Sequence, residues 1–272
     1  MVKIEDFDDI IIKKEDNGIC TAIISKPEIR NAMTPLTFNE MYYLLDDLEN
    51  DKNTKVLIIT GDPKGNAFTS GAYFRKEMFY QLRKYPEISL MDVAQKRLSL
   101  KFWNFPKPVI FAINGMAIGG GVTIPLIGAD LIYMAEDAWF ALYFVKRGII
   151  QEFGSSFLLP FLMGFQKAKE LLYFGDKITA QQAEKLGLVN KVLSPDELMP
   201  YAREQALRLI PPKGPSISIK LMKKTMHNYF YDILSKVLDK ENRALRKTFT
   251  THDFRESMEA LKEKRDSVFI GR

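Results

Sequence analysis

Three consecutive glycines, Gly119, Gly120 and Gly121, lie between a strand-like run at Val109–Ile113 and a helix-like run at residues 122–127. Glycine allows a sharp turn and lets a ligand approach the main chain closely. Where a strand turns into a helix in this way, the first N–H groups of the helix lack partners and favour an anion. The sequence therefore predicts a backbone site for an anion, or for an oxygen that becomes one.

A second loop, residues 66–72, follows a short apolar strand and contains Ser70, Gly71 and Ala72. N–H groups from two such loops can converge on one oxygen. Neither loop is a phosphate-binding P-loop, because no Gly-Lys-Ser or Gly-Lys-Thr follows, and the glycine spacing does not match a dinucleotide fingerprint. On spacing alone, tight packing explains each loop equally well.

The elements that must position these loops alternate between strands and helices. Two β-rich runs, at residues 10–12 and 19–24, flank Asn17-Gly18, a pair typical of a tight hairpin. Thr34 and Pro35 open a helix as N-cap and first-turn proline. Further short strands are predicted at residues 56–59, 109–113, 131–134 and 188–192. This pattern predicts an α/β fold built from repeated strand-strand-helix units.

The second half of the chain is mainly helical in pattern. The helices are predicted at residues 155–163, 166–174 and 179–186, from Pro195 onward, and from residue 216 to about residue 264. The proline-rich stretch at residues 211–215 is the clearest boundary. We therefore predict a core domain at residues 1–210 and a C-terminal helical region at residues 211–272, which is too short for an independent enzyme and is interpreted as a lid or an oligomerisation element.

Composition excludes several functional classes. The net charge of +5 among 272 residues is only mildly basic, so nucleic acid is not implied as a partner. The single cysteine, Cys20, cannot form an intramolecular disulfide, and two distant histidines give no metal cluster. We expect a reducing, cytoplasmic setting and no metal.

One uncharged stretch, residues 109–129, is formally long enough to span a bilayer. It contains Asn114, Pro125 and the glycine triplet, and it divides into a strand pattern and a helix pattern. We therefore interpret it as a buried strand-turn-helix and expect no membrane association.

Four motifs together resemble those of the crotonase, or enoyl-CoA hydratase/isomerase, superfamily. They are Arg30-Asn31-Ala32-Met33, Ala67-Phe68-Thr69-Ser70-Gly71-Ala72, Ala112-Ile113-Asn114-Gly115-Met116-Ala117-Ile118-Gly119-Gly120-Gly121 and Ala129-Asp130-Leu131. The resemblance covers essentially the whole chain. It implies a spiral of strand-strand-helix repeats, acyl-CoA thioester substrates with no cofactor beyond that CoA, and a homotrimer or a dimer of trimers. It also implies an oxyanion hole for a thioester enolate, formed by the backbone N–H groups of Ala72 and Gly120.

The resemblance also shows which carboxylates are missing. The family's hydratases hold and activate water with two glutamates, which by position fall at Thr123 and Phe144 in this chain. A hydratase of the usual mechanism is therefore not expected, and neither is an isomerase that uses the second of these glutamates.

Glu152 resembles the single catalytic glutamate of the peroxisomal-type Δ3,Δ2-enoyl-CoA isomerases, which small and hydroxyl residues follow. One carboxylate can remove a proton from C2 and return it at C4. Apolar neighbours such as Ile150 and Phe153 would raise the pKa of Glu152, whereas a place at a helix N-terminus would favour its ionised form. The sequence leaves open which effect is larger. We interpret Ser155 and Ser156 as a helix cap.

The leading hypothesis is an isomerase of 3-enoyl-CoA with Glu152 as base and acid. A second hypothesis keeps the fold but lets Glu152 activate water, for hydration of an enoyl- or dienoyl-CoA ester or for thioester hydrolysis. A third hypothesis, from another class, is a non-catalytic acyl-CoA-binding protein that has lost both usual glutamates.

Further residues are expected to contact the substrate. Ser70, Gly71, Tyr73 and Phe74 lie in or beside the first oxyanion loop, and Tyr73 stands where relatives commonly carry Asp. Thr123 and Phe144 are also expected to contact the substrate, since they occupy the positions of the missing glutamates. Basic side chains are candidates for the CoA phosphates: Lys26, Arg30, Lys220, Lys223 and Lys224.

Overall fold

Short strands form two β-sheets in the computed structural model, which describes residues 4–73 and 92–272. In chain order, the strands are β1 (Ile10–Lys14), β2 (Ile19–Ile24), β3 (Val56–Gly61), β4 (Ala67–Thr69), β5 (Val109–Ile113), β6 (Met116–Ile118), β7 (Leu131–Ala135), β8 (Trp139–Ala141), β9 (Lys177–Thr179) and β10 (Lys191–Leu193). The larger sheet has the order β1-β2-β3-β5-β7-β10, and the smaller sheet has the order β4-β6-β8-β9.

The larger sheet is parallel except at its first edge, where β1 and β2 are antiparallel. Every residue of β3 and β5 is buried, as is typical of parallel strands covered on both faces. The predicted hairpin is confirmed, because Gly18 has a φ of +93° and Lys14 pairs with Cys20 across the turn.

The smaller sheet was not predicted from the sequence, except that its strand β4 lies within the predicted glycine loop. Its strands have three residues each, which is too short for a periodic pattern to show. β4 and β6 are parallel neighbours, and each leads directly into one of the two glycine loops. This pairing therefore places the two loops at the same edge of one sheet.

The helices surround the two sheets. They are α1 (Pro35–Asn50), α2 (Lys96–Asn104), α3 (Gly120–Gly128), α4 (Ser155–Met163), α5 (Phe165–Phe174), α6 (Ala180–Lys185), α7 (Pro195–Leu209), α8 (Ser216–Thr248) and α9 (His252–Glu263). The predicted N-cap of α1 is confirmed, since the Thr34 hydroxyl accepts the Leu36 N–H at 3.0 Å. Helix α2 was not predicted, and the predicted strand at residues 188–192 is displaced, because β10 begins at Lys191.

Helix α8 packs its apolar stripe into the same core that the sheets form. Leu234 and Leu238 are fully buried members of that core. The predicted α/β architecture with a C-terminal helical region is confirmed. The division into two domains at residue 211 stays a prediction.

Lys223 of α8 does not offer its charge to a ligand. Its Nζ donates to Oδ2 of Asp130 at 2.7 Å and to the carbonyl of Lys107 at 3.1 Å, and the residue is 6% exposed. Asp130 also accepts the Val109 N–H at 2.8 Å. The prediction that Lys223 meets CoA phosphates is therefore wrong, because this lysine anchors α8 to the start of β5.

Within residues 4–73 and 92–272, no helix is long and apolar enough to cross a lipid bilayer. The uncharged stretch at residues 109–129 instead forms β5, β6 and α3.

The ion pair between Lys223 and Asp130 gives a first prediction. Lys223→Met should lower the free energy of unfolding by about 2–3 kcal/mol, because it leaves a largely buried carboxylate without its cation. Urea denaturation measures the effect. Lys224→Met, at the exposed neighbouring position, is the control and should change stability by less than about 0.5 kcal/mol. Equal stability of the two variants would contradict an anchoring role for Lys223.

Candidate active site

The two glycine loops lie in direct backbone contact. A methyl group on Gly71 would lie 2.8 Å from the carbonyl oxygen of Ile118, and one on Gly121 would lie 2.5 Å from Cγ2 of Thr69. Side chains at these positions would force the loops apart. The glycines are therefore required by the close approach of the two loops.

Gly119 makes the turn that exposes the start of α3. It has φ 56° and ψ −114°, and its N–H donates to the carbonyl of Ala141 at 2.9 Å. Gly120 is the first residue of α3, and no group among residues 4–73 and 92–272 accepts its N–H. The unpaired N–H predicted from the glycine triplet is thus present at Gly120.

Ala72 presents a second N–H at the neighbouring loop. Met33 pairs with the backbone on both sides of Ala72. Its N–H donates to the carbonyl of Gly71 at 2.8 Å, and its carbonyl accepts the Tyr73 N–H at 2.9 Å. The N–H of Ala72 points away from Met33, because successive N–H groups point to opposite sides of an extended backbone. In the part of the chain that the structure describes, nothing accepts it, and Ala72 is exposed.

Glu152 lies against the start of α3. A methyl group on Gly120 would lie 3.4 Å from Oε1 of Glu152 and 3.0 Å from Cε of Met33. The carboxylate therefore lies within van der Waals distance of the position that a side chain at Gly120 would occupy. The structure brings together Glu152 and Gly120, which the sequence analysis assigned to one site.

A buried aromatic ring anchors the turn that carries Glu152. Phe153 is fully buried and stacks on Phe38, with ring centroids 6.1 Å apart. Phe153 and Gly154 both have positive φ, at 56° and 72°. This conformation is unfavourable for phenylalanine, so packing of the ring must compensate for it.

The cap of helix α4 comes from a residue that the sequence analysis missed. Glu241 of α8 accepts the N–H of Gly154 at 2.8 Å and the N–H of Ser156 at 2.9 Å. The prediction that Ser155 and Ser156 form the cap is wrong, since Gly154 is the N-cap residue and makes no side-chain cap. The Ser155 hydroxyl instead donates to the carbonyl of Glu152 at 2.6 Å.

A sequence signal for Glu241 did exist. Leu234, Leu238, Glu241 and Leu245 follow one another at spacings of four, three and four, so they share one helix face. All four are buried. A carboxylate on an otherwise apolar face indicates a buried partner, which here is the N-terminus of α4.

Burial raises the pKa of Glu152 to about 8, and the negative charge of Glu241 adds to the increase. Burial also raises the pKa of Glu241, although the hydrogen bonds from Ser156 and Gly154 oppose that change. The sequence left open whether desolvation or the helix N-terminus has the larger effect on the pKa of Glu152. Desolvation has the larger effect on Glu152, because the first N–H groups of α4 bind Glu241 rather than Glu152.

The positions of the missing glutamates hold a buried hydroxyl and a buried ring. The Thr123 hydroxyl donates to the carbonyl of Gly119 at 3.4 Å, and the residue is fully buried. The Phe144 ring would lie 3.7 Å from a methyl group on Gly119. Neither residue offers a group that activates water. Their contact with substrate stays a prediction.

The Arg30-Asn31-Ala32-Met33 motif supports the loop at residues 66–72. Asn31 is fully buried, and its side-chain amide donates to the carbonyls of Asp62 and Ala67, both at 2.8 Å. Its side-chain oxygen accepts the Lys26 N–H at 3.1 Å. The motif thus ties the Lys26 loop to the start of β4.

The other predicted substrate contacts are distributed around that loop. The Ser70 hydroxyl donates to the carbonyl of Ile29 at 3.0 Å, and Tyr73 is half-buried. Lys26 forms an ion pair with Asp9 at 2.8 Å, whereas Arg30 is exposed. The binding roles of these residues stay predictions, and Phe74 lies outside the described residues.

Comparison with known proteins identifies the family of this chain. The family model described as Enoyl-CoA hydratase/isomerase matches residues 14–272. The chain belongs to the enoyl-CoA hydratase/isomerase family. The resemblance inferred from the four motifs is therefore confirmed, as is the expectation of an enzyme of this family.

Relatives within the enoyl-CoA hydratase/isomerase family have different names. The chain is 32% identical to the short-chain-enoyl-CoA hydratase of Clostridium acetobutylicum, over 96% of this chain and 97% of that protein. It is 27% identical to the 1,2-epoxyphenylacetyl-CoA isomerase of Escherichia coli, over 97% and 99% of the two chains. An enoyl-CoA hydratase structure from Mycobacterium avium subsp. paratuberculosis shares the fold, with a TM-score of 0.83 at 24% identity over 97% of this chain and 99% of that one. These names do not separate isomerisation from hydration.

Site electrostatics predict a pH-dependent stability. The folded-state pKa of Glu152, about 8, is above its ordinary value of 4.5, so between these values the folded chain retains a proton that the unfolded chain releases. Stability is therefore lost as pH rises through this range. Glu152→Gln should remove that loss, so its free energy of unfolding should gain relative to that of the parent between about pH 5 and pH 9, by at most about 1.4 kcal/mol per pH unit.

Urea denaturation at a series of pH values measures this difference. Glu259→Gln, an exposed substitution on α9, is the control and should follow the parent throughout. A Glu152→Gln curve that runs parallel to the parent curve would show that Glu152 titrates normally.

Proposed function

We propose that this protein isomerises 3-enoyl-CoA esters to 2-enoyl-CoA esters, with Glu152 as the single acid-base group. The observation that carries the proposal is the position of Glu152 against Gly120, where an unpaired N–H opens α3. Membership of the enoyl-CoA hydratase/isomerase family supports an acyl-CoA thioester as substrate.

In this proposal, the N–H groups of Ala72 and Gly120 bind the thioester oxygen. Both groups are unpaired among the described residues, and they belong to loops in backbone contact. The Gly120 N–H is also at the positive end of the α3 dipole. Donors placed in advance at a developing oxyanion stabilise the transition state more than the ground state.

Proton transfer then proceeds through one carboxylate. Ionised Glu152 takes a proton from C2, and the electron pair of that bond moves toward the thioester oxygen as an enolate. When the carbonyl re-forms, a C2–C3 double bond forms, and the former C3–C4 π pair takes the proton from Glu152 at C4. The carboxylate is regenerated and no atom is gained or lost, so the reaction needs no further cofactor.

The raised pKa of Glu152, about 8, suits this reaction. A thioester C2 proton is weakly acidic, and a base with a higher pKa accepts it more readily. Because only the ionised form can act, the rate in the free enzyme should rise with pH and level off above about pH 8. The buried Thr123 and Phe144 leave the usual water-activating positions without a carboxylate.

The substitution Glu152→Gln tests the proposed base. We expect isomerisation to fall about a thousandfold, because the amide cannot accept the C2 proton. The fold by circular dichroism and the binding of a non-reactive CoA thioester should be retained. Turnover close to that of the parent would exclude Glu152 as the base.

The mass of the product separates the proposed reaction from the alternatives. Isomerisation leaves the mass unchanged, hydration adds one water, and hydrolysis releases free CoA. Hydration is the second candidate, because relatives of this chain include the crotonyl-CoA hydratase of Syntrophomonas wolfei, at 32% identity over 98% of this chain. Binding without turnover, over a panel of chain lengths and double-bond positions, would instead indicate a non-catalytic member.

We further propose that the chain forms a homotrimer or a dimer of trimers. Met222, Met226, Tyr229 and Ile233 share one face of α8, and each is at least 47% exposed. This face is not the one that packs into the core. Such an uncovered apolar stripe is typical of an oligomer interface.

Met226→Glu tests the oligomer. A charge within the stripe should shift the mass measured by light scattering from an oligomer toward a monomer, because a buried unpaired carboxylate is unfavourable. Asn228→Glu, exposed and on another face of α8, should leave the oligomer intact. A monomeric parent protein would contradict the proposal.

A further inference from the structure

Glu241 links the C-terminal helix α8 to the turn that carries Glu152. It is 2% exposed, and its two carboxylate oxygens accept different N–H groups, from Gly154 and from Ser156. A buried carboxylate is unfavourable unless donors surround it. The N-terminus of α4 supplies these donors together with its dipole.

These hydrogen bonds begin two residues after Glu152. Gly154 and the preceding Phe153 both have positive φ, so the chain reverses sharply there. At the Glu152 end of this turn, the Glu152 carbonyl accepts the Ser155 hydroxyl at 2.6 Å and the Ser155 N–H at 3.2 Å. The backbone of Glu152 is therefore held by a turn whose far end is fixed to Glu241.

The charge of Glu241 also acts on Glu152. Among residues 4–73 and 92–272, Glu241 is the ionisable group whose charge raises the pKa of Glu152. The groups that act on Glu241 are the hydroxyl and N–H of Ser156 and the N–H of Gly154. Two N–H groups and a helix dipole favour ionised Glu241 and oppose the effect of its burial, and the charge of ionised Glu241 disfavours ionisation of Glu152.

We propose that Glu241 is a positioning residue for Glu152: it binds the N-terminus of α4 and so fixes the turn that directs the Glu152 carboxylate toward Gly120. A negative charge on Glu241 also makes Glu152 a stronger base. The inference rests on the proposed function for its catalytic consequence. Its structural and electrostatic consequences are independent of which reaction Glu152 performs.

The test is Glu241→Gln in the full-length protein. Gln retains one acceptor oxygen but no charge, so the midpoint of the pH–rate curve should move down by about half a pH unit or more. Loss of one N–H hydrogen bond should loosen the turn, so kcat on the high-pH plateau should fall about tenfold, with KM changed less than about twofold. An unchanged midpoint together with unchanged kcat would overturn the proposal.

A direct titration separates this inference from the proposed function. The Glu152 carboxyl is followed by NMR in protein labelled with ¹³C at glutamate, and Glu152→Gln identifies its signal. If the parent shows no isomerisation but Glu241→Gln still lowers the Glu152 midpoint, the proposed function fails and the role of Glu241 holds. If isomerisation is present and the midpoint is the same in both proteins, the role of Glu241 fails.

Two further variants control for lost stability. Glu241→Asp retains the charge and should keep the Glu152 midpoint close to that of the parent; a downward shift as large as that of Glu241→Gln would contradict the charge effect. Glu40 is also fully buried and accepts backbone N–H groups, from Asp8, Asp9 and Ile10 at 2.7–2.9 Å. Glu40→Gln should therefore destabilise the chain without moving the Glu152 midpoint, and a shift there would show that the effect of Glu241 is not specific.

Discussion

The site depends on the close contact between two backbone loops. Parallel pairing of β4 with β6 brings the loops together, and glycine at positions 71 and 121 lets them meet without a side chain between them. The Glu152 carboxylate lies against Gly120 at the start of α3. Backbone groups that would otherwise be covered thus face the position where a reacting oxygen would lie.

Two glutamates in this region, Glu152 partly buried and Glu241 fully buried, have different environments and therefore different chemistry. Glu241 accepts N–H groups at a helix N-terminus, which favour its ionised form and oppose the effect of its burial. Glu152 is desolvated and lies within the influence of that charge, which favours its protonated form. Placing two carboxyl groups in contrasting surroundings is a general way to set one apart as a proton-transfer group near neutral pH.

The motifs and the main elements could be predicted from the sequence because they depend on local pattern. Thr34 predicted the start of α1, and the glycine triplet predicted the unpaired N–H at Gly120. The smaller sheet could not be predicted, since three-residue strands carry no period. The cap from Glu241 was also missed, because it joins residues 85 and 87 positions apart in the chain.

The turn around Glu152 shows how a site can be held at a cost in stability. Phe153 adopts an unfavourable backbone conformation, and Glu152 is partly buried with no hydrogen bond to its carboxylate from the described residues. Neither feature helps the chain to fold. Stacking of Phe153 on Phe38 and the hydrogen bonds to Glu241 must offset both. The C-terminal helix α8 therefore supports the site as well as packing into the core. Its buried face carries Leu234 and Leu238, which pack into the core, and Glu241, which binds the turn after Glu152.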